Sequence, residues 1–278
     1  MSTTHAAKLE QYGLLHAGGA DARAFLHAQL TNDMESLPAD RARYAGWCTA
    51  QGRLLASFLV VPRADGFLLQ LSRDLVPQVL KRLSMFILRS KVKLADVTGQ
   101  WAQYGVWEGS SSVPLAVTES DGRITIGIEP GRSLVFAQGS PLATGRAAED
   151  WALAEVRAGR PLIVQSTQDQ FVPQMVNLEL SGGVDFHKGC YPGQEIVARA
   201  QYRGAVKRRM YLVRGESLKA GQDLFSDDAP GQASGKVVNA AGTESLAVLQ
   251  IAAVEARSPI RARPQAPELE VLPLSYAA

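Results

Sequence analysis

The pattern of apolar and polar positions changes character several times along the chain. Apolar residues recur at helical spacing in three stretches, and Asp21 stands at the N-cap position of the first. The predicted helices cover residues 22–30, 74–86 and 149–160. Between them, short apolar runs separated by Gly, Pro and Ser indicate strands, including a hairpin of half-buried strands at 54–61 and 67–71. Helices and strands alternate without regular βα units, which predicts an α+β fold.

The pattern changes again after Gly204, where short strand candidates are broken by Gly, Pro and Asp. Such spacing over roughly 70 residues is typical of a small barrel or sandwich, so we expect a separate C-terminal domain. The Pro-rich tail, residues 261–278, fits either a packed strand or a partly loose segment.

Composition and charge narrow the classes of partner and site that the chain can have. The 278 residues are 46% hydrophobic and 20% charged, as in ordinary globular proteins, and the net charge of +2 gives no global argument for a nucleic-acid or membrane partner. No apolar run approaches the roughly 18 residues of a membrane span, so we expect a cytoplasmic protein. Cys48 and Cys190 are then expected to be free thiols, and we expect no complete metal site on this chain alone.

One segment, HKGCYPGQEIVARAQYRG at 187–204, concentrates the candidate chemistry. Cys190 lies beside Lys188 and shortly before a predicted helix, and both features favour its thiolate, whereas Glu195 opposes it. Two other interpretations stay open at this point. A lone cysteine is most often a small buried apolar residue, and His187 offers a Cys/His nucleophilic pair.

Basic residues follow this cysteine closely. They are Arg199, Arg203, Lys207, Arg208 and Arg209. The cluster suits an acidic partner or the polyanionic tail of a ligand. An RNA-binding surface is a further interpretation, although five basic residues without an RNA-binding motif are usually a solvated edge.

The segment KGCYPGQEIVAR, residues 188–199, resembles the K-G-C-[FY]-x-G-Q-E signature of the YgfZ family. This family comprises folate-binding proteins linked to iron–sulfur cluster maintenance. Residues 171–210 resemble the family nearly throughout, and residues 18–33 resemble its N-terminal motif. The stretches GRLLASFLVV and VRAGRP, at 52–61 and 156–161, are also similar, so the resemblance extends to about residue 210.

The family is built like the aminomethyltransferase (T-protein) of the glycine cleavage system, and this resemblance implies the fold. We expect two interleaved N-terminal α+β subdomains around a folate cavity, followed by a small C-terminal β-barrel. The predicted boundaries are 1–200 for the folate-binding region, with subdomains at about 1–45 plus 137–200 and at 46–136, and 201–278 for the barrel. Tyr12 and Trp151 stand where the family has aromatic residues that line the folate site.

Departures from the aminomethyltransferases bear on activity. Ala56 and Ser57 stand where those enzymes have an Asp, and Val156–Gly159 stands where their R-L-E-A-G motif has a Glu. A carboxylate that handles a proton cannot be replaced by Ala or Arg without losing that role. We therefore expect no autonomous catalysis of this type, and a folate-dependent one-carbon transferase is the alternative.

The resemblance implies a tetrahydrofolate-binding accessory protein that supports assembly or repair of iron–sulfur clusters in client enzymes, including enzymes of tRNA thiomethylation. Cys190 would be the functional thiol and a transient cluster ligand, and Lys188 its activator. The residues that would shape and order the loop are Gly189, Tyr191, Gly193, Gln194, Glu195, Arg199 and Arg203. Expected partners are folate and iron–sulfur clients or assembly factors, with no membrane and no direct nucleic-acid binding. Metal ligation and redox or transfer chemistry at Cys190 both stay open.

Overall fold

A computed structural model describes residues 5–107, 113–202, 204, 206–228, 231–274 and 276. Among these residues there are sixteen β-strands and five α-helices. The strands are β1 (Ala6–Lys8), β2 (Tyr12–Gly18), β3 (Arg43–Cys48), β4 (Leu54–Arg63), β5 (Gly66–Ser72), β6 (Lys93–Asp96), β7 (Ala102–Trp107), β8 (Val117–Ser120), β9 (Arg123–Glu129), β10 (Arg132–Ala137), β11 (Arg208–Arg214), β12 (Asp223–Ser226), β13 (Ala233–Ala241), β14 (Glu244–Gln250), β15 (Ile260–Arg261) and β16 (Glu268–Leu272). The helices are α1 (Ala22–Gln29), α2 (Val76–Ser84), α3 (Ala148–Arg157), α4 (Gln194–Tyr202) and α5 (Ile251–Glu255).

The N-terminal region contains two antiparallel sheets of five strands each. Their strand orders are β1-β7-β10-β9-β8 and β3-β4-β5-β2-β6. The two sheets interleave along the sequence, because β1 belongs to the first and the next strand, β2, to the second. Each sheet takes strands from both predicted subdomain segments, and the finer boundaries within 1–200 stay a prediction.

The predicted hairpin forms as β4 and β5, but the strands are not half-buried. Leu59 and Val61 of β4 pack in the core shared with the first sheet, whereas Phe58 and Val60 pack on the side of α1 and α2. Successive side chains point to opposite faces of a sheet, so a sheet covered on both faces needs apolar residues throughout. The second sheet is therefore the middle layer of the region.

The three helices predicted from periodicity are present as α1, α2 and α3. Asp21 precedes α1 but makes no side-chain cap; its Oδ2 instead accepts a hydrogen bond from the Lys91 backbone N–H at 2.6 Å. Helix α2 begins after a 3₁₀ turn at Arg73–Leu75 and ends at Ser84. None of the helices in the described ranges is long and apolar enough to cross a membrane.

The C-terminal region is a closed barrel in the order β11-β14-β13-β12-β15-β16. Strand β16 pairs with both β11 and β15, so this part of the tail is a packed strand. The barrel is fixed to the turn after α3 by Asn239, whose amide donates to the Leu162 carbonyl at 2.7 Å and accepts from the Leu162 N–H at 2.8 Å. The predicted α+β architecture with a C-terminal barrel is confirmed.

Candidate functional site

An inner cavity of about 70 Å³ lies between the two sheets, α3 and the turn that follows α3. Its walls are mostly aromatic and aliphatic, with a few polar groups. The lining residues are Tyr12, Tyr44, Ser57, Phe58, Leu59, Gln70, Ile128, Leu134, Trp151, Glu155, Arg160, Pro161, Leu162, Leu178 and Ser181. The fold thus brings Tyr12 and Trp151, the two aromatic residues predicted for the folate site, to one cavity.

Trp151 is fixed tightly in this wall. Its ring meets Trp107 edge to face with centroids 5.6 Å apart, and the Arg132 guanidinium lies 4.6 Å from its centroid. Gly105 of β7 lies against the ring, because a Cβ built there would come within 2.0 Å of Trp151 Cε3. The glycine is therefore needed for close approach of strand and ring.

Glu155 places a carboxylate in the cavity. The sequence analysis did not predict this residue as part of the site. It pairs with Arg132 at 2.8 Å, and Arg160 contacts both of its oxygens at 3.0 to 3.1 Å. Burial raises the pKa of Glu155, and the charge of Arg132 opposes that rise. The signal was present in the spacing, since Glu155 follows Trp151 by four residues and thus shares its helix face.

The residues expected to replace the carboxylates of aminomethyltransferases make structural contacts in this fold. Ser57 Oγ accepts a hydrogen bond from the Ile163 N–H at 3.0 Å and donates to the Pro161 carbonyl at 3.3 Å, which fixes the turn after α3. Arg157 donates to both oxygens of Glu244 in the barrel, each at 2.9 Å. These contacts hold the cavity wall and the barrel.

The inner cavity adjoins a larger cleft of about 490 Å³ between α3 and the barrel. Tyr12, Glu155, Arg160 and Leu162 line both spaces. On the barrel side the cleft is bordered by Leu218 to Ala220, so that Lys219 adds a positive charge to the wall opposite α3. A ring in the inner cavity could therefore extend a longer substituent toward the barrel.

The loop that carries Cys190 lies elsewhere in the fold. Cys190 is exposed and free, which excludes the interpretation as a buried core cysteine, whereas Cys48 is buried. None of the described residues that line the inner cavity or the cleft belongs to residues 187–193. The aromatic cavity and the thiol thus share no lining residue among those that the structure describes.

Glycines allow the loop to pack closely against the N-terminal region. Gly193 has a φ of +82°, and a Cβ there would come within 2.4 Å of the Thr49 carbonyl in the β3–β4 turn. Gly189 lies beside His27 of α1, with a built Cβ 3.3 Å from His27 Nε2. The loop is therefore held between the end of α1 and the β3–β4 turn.

Lys188 is the buried anchor of this loop, with only 9% of its surface exposed. Its ammonium donates to the carbonyl oxygens of His27 and, at 2.8 Å, Leu30, and it lies 4.8 Å from the centroid of Tyr191. Burial lowers the pKa of Lys188 to about 8, and the charges of Asp33 and Asp185, followed by Cys190, oppose this shift.

The remaining predicted loop residues differ in exposure. Tyr191 is buried and Gln194 is half-buried, while Glu195 and Arg199 of α4 are exposed. Arg203 lies outside the described residues. His187 is almost fully exposed, and its Nδ1 lies 3.9 Å from the Asp185 carboxylate.

The basic cluster that follows the cysteine is only partly a free surface. Arg209 pairs with the buried carboxylate of Glu179. Lys207 and Arg208 are exposed, as is Arg199. One of the five predicted surface cations is therefore an internal ion-pair partner.

Known proteins resemble this chain in sequence over most of its length. No family model matches the chain. The tRNA-modifying protein YgfZ of Edwardsiella ictaluri is 31% identical over 248 residues, which cover 78% of this chain and 74% of that protein. The tRNA-modifying protein YgfZ of Serratia proteamaculans is 29% identical over 97% of this chain and 91% of its own length. An uncharacterized protein of Haemophilus influenzae is 30% identical over 87% of this chain and 86% of its own.

A solved structure supports the fold assignment. The glycine cleavage system aminomethyltransferase T from Bartonella henselae matches 99% of this chain and 87% of its own with a TM-score of 0.69. At 13% identity, the likeness establishes a T-protein-like fold and nothing about activity.

Proposed function

The chain belongs to the YgfZ family of tRNA-modifying proteins, and we propose that it is a folate-binding accessory protein for iron–sulfur enzymes. In this proposal it supports assembly or repair of clusters in client enzymes, among them enzymes of tRNA thiomethylation, and acts in the cytoplasm. The observation on which it chiefly rests is an aromatic cavity in a T-protein-like fold together with an exposed cysteine in the KGCYPGQE loop.

The chemistry of the cavity suits a reduced folate. Tyr12, Tyr44 and Trp151 offer aromatic surface to a pterin, and Gln70 and Glu155 offer polar groups for its amide and amino edge. The adjoining cleft of about 490 Å³ lies within the roughly 300 to 1,000 Å³ usual for small-molecule sites. It would take the benzoyl-glutamate part of the ligand, with Lys219 near the carboxylates. Bound tetrahydrofolate would supply a reduced pterin able to carry a one-carbon unit.

Cys190 would act outside this cavity. Its thiolate would transiently ligate, transfer or protect cluster components, and the Lys188 ammonium would stabilise the thiolate. One cysteine cannot complete a cluster, since such clusters are held by several ligands. The remaining ligands must therefore come from another molecule, which is why the proposal includes a client enzyme or assembly factor.

Equilibrium titration with tetrahydrofolate tests the folate half of the proposal. We expect saturable binding that is weakened by Glu155→Gln, because this change removes the charge that orders Arg160 at the cavity wall. Cys190→Ser is the matched control and should bind folate like the wild type, since the thiol lies outside the lining. Absence of binding at near-millimolar ligand would reject folate as the occupant.

A one-carbon transferase of the aminomethyltransferase type is the second candidate, and Glu155 is the observation in its favour. The carboxylate lies in the cavity and burial raises its pKa, but Arg160 contacts both of its oxygens, which restricts the access of a substrate to them. We expect no methylene-tetrahydrofolate at enzymic rates when the protein is incubated with an aminomethylated lipoyl carrier and tetrahydrofolate. Turnover that is lost in Glu155→Gln would establish this second function instead.

A further inference from the structure

The segment that follows α2 combines positive charge with exposed apolar side chains. We define it as the basic–apolar segment, residues 81–93, KRLSMFILRSKVK. Its five cations are Lys81, Arg82, Arg89, Lys91 and Lys93, all of them exposed. The segment contains no Asp or Glu, and none of the five side chains forms an ion pair with any residue that the structure describes.

Three large apolar side chains are exposed between these cations. Met85 is 63% exposed, Phe86 42% and Leu88 89%. Leu88 also has a φ of +47°, a left-handed conformation that is unfavourable for a residue of this size. Its backbone is held in a turn by the hydrogen bond from the Ser90 N–H to the Ile87 carbonyl at 2.8 Å. An apolar side chain kept in water on strained backbone makes Leu88 a candidate contact residue.

The basic–apolar segment adjoins the structure that holds the Cys190 loop. Phe86 meets Trp47 edge to face with centroids 6.3 Å apart, and the Arg82 guanidinium lies 5.9 Å from the Trp47 ring. Trp47 bridges to Leu30, whose carbonyl accepts the hydrogen bond of Lys188. These contacts connect the segment, through the buried side chains of Trp47 and Leu30, to the Lys188 anchor of the Cys190 loop.

From these observations we propose that the basic–apolar segment is a docking surface for an acidic protein with an apolar patch. This inference rests on the proposed function, since the partner is the client that meets Cys190. Cations without an ion-pair partner favour the binding of an anionic molecule. Met, aromatic and Arg side chains are enriched in protein interfaces. The partner would place acidic side chains around Met85, Phe86 and Leu88.

The other occupants fit the segment less well. Proteins bind single-stranded RNA through aromatic rings on which the bases stack. The segment has one aromatic residue, Phe86, and its ring already packs in a T-shaped contact with Trp47. A membrane surface favours a long helix with one apolar face, whereas α2 buries Val76, Val79 and Leu83 in the core and ends before the exposed residues. A second copy related by a two-fold axis would bring like charges together.

Binding measurements on the full chain test the docking surface. The probe is a purified tRNA methylthiotransferase, the proposed iron–sulfur client. We expect the charge-reversed variant Arg89→Glu/Lys91→Glu and the variant Leu88→Asn each to weaken its binding by about tenfold. Leu88→Asn tolerates the left-handed backbone, so its melting temperature should not fall. Arg123→Glu/Arg257→Glu reverses two exposed cations elsewhere and should bind like the wild type.

Several results would overturn the proposal. One is equal binding of the methylthiotransferase by wild type and both segment variants. Another is retention of an unmodified tRNA transcript or of phosphatidylglycerol vesicles by the wild type, with loss in the segment variants alone. A third is a wild-type dimer that Leu88→Asn converts to monomer. If the segment variants bind normally while Cys190→Ala abolishes cluster support in cells, the docking surface is wrong and the proposed function stands.

Discussion

The lowered pKa of the buried Lys188 ammonium can be measured through the pH dependence of stability. Folding buries the ammonium and lowers its pKa from 10.5 to about 8, so that the unfolded chain binds more protons than the folded one between these values. Stability should therefore increase as the pH rises through this window. Lys188→Met removes the titrating group and keeps most of the buried stem.

The magnitude follows from the two pKa values. From pH 7 to pH 9.5, the free energy of unfolding of the wild type should rise by about 2 kcal/mol relative to Lys188→Met. Urea denaturation of both proteins across this range measures the difference, and other titrating groups cancel because both proteins share them. A difference that stays constant to within about 0.5 kcal/mol would refute a desolvated ammonium at Lys188.

The same titration tests whether Lys188 and Cys190 interact. A negative charge at Cys190 raises the pKa of Lys188, so Cys190→Ser should move the stability increase to lower pH. Glu195→Gln is the matched control on the neighbouring helix and should leave the increase where it is. An unchanged profile in Cys190→Ser would contradict the activating role of Lys188.

Three further changes test the wall of the inner cavity, the Cys190 loop and the cleft. Gly105→Ala should displace Trp151 and lower the free energy of unfolding by about 1 to 3 kcal/mol in urea, and an unchanged denaturation midpoint would contradict the tight strand–ring contact. Gly193→Ala should cost about 1 to 3 kcal/mol and reduce cluster support in cells although Cys190 is retained; full activity would show that the loop tolerates a side chain there. Lys219→Glu should weaken binding of a polyglutamyl folate on the order of tenfold more than that of the monoglutamyl form, and equal effects on both would remove Lys219 from the tail site.

Sequence periodicity predicts those elements whose environment repeats along the chain. Helix α2 has one buried side at Val76, Val79 and Leu83, and its period of about 3.6 is visible in the residues themselves. Strand β4 is covered on both faces, so its uniform apolar run could not show which side chains point to which core.

The candidate site could be predicted only in part. Motif resemblance predicts Tyr12, Trp151 and the Cys190 loop as parts of the site, because their positions match the family pattern. It misses Glu155, since motif matching compares positions in a line while α3 places Glu155 on the face of Trp151. The burial of Lys188 was also hidden, because it depends on carbonyl groups at the end of α1, 158 and 161 positions away in sequence.

The central claim is that the exposed thiol of Cys190 supports iron–sulfur enzymes. Its most direct test is the thiomethylation of tRNA in cells that lack the native protein and express either the wild type or Cys190→Ala at equal levels. Cys48→Ala, which removes the buried thiol, is the matched control. The account predicts that the wild type restores thiomethylated tRNA, that Cys48→Ala restores it in proportion to its folded amount, and that Cys190→Ala does not. Full restoration by Cys190→Ala would contradict it.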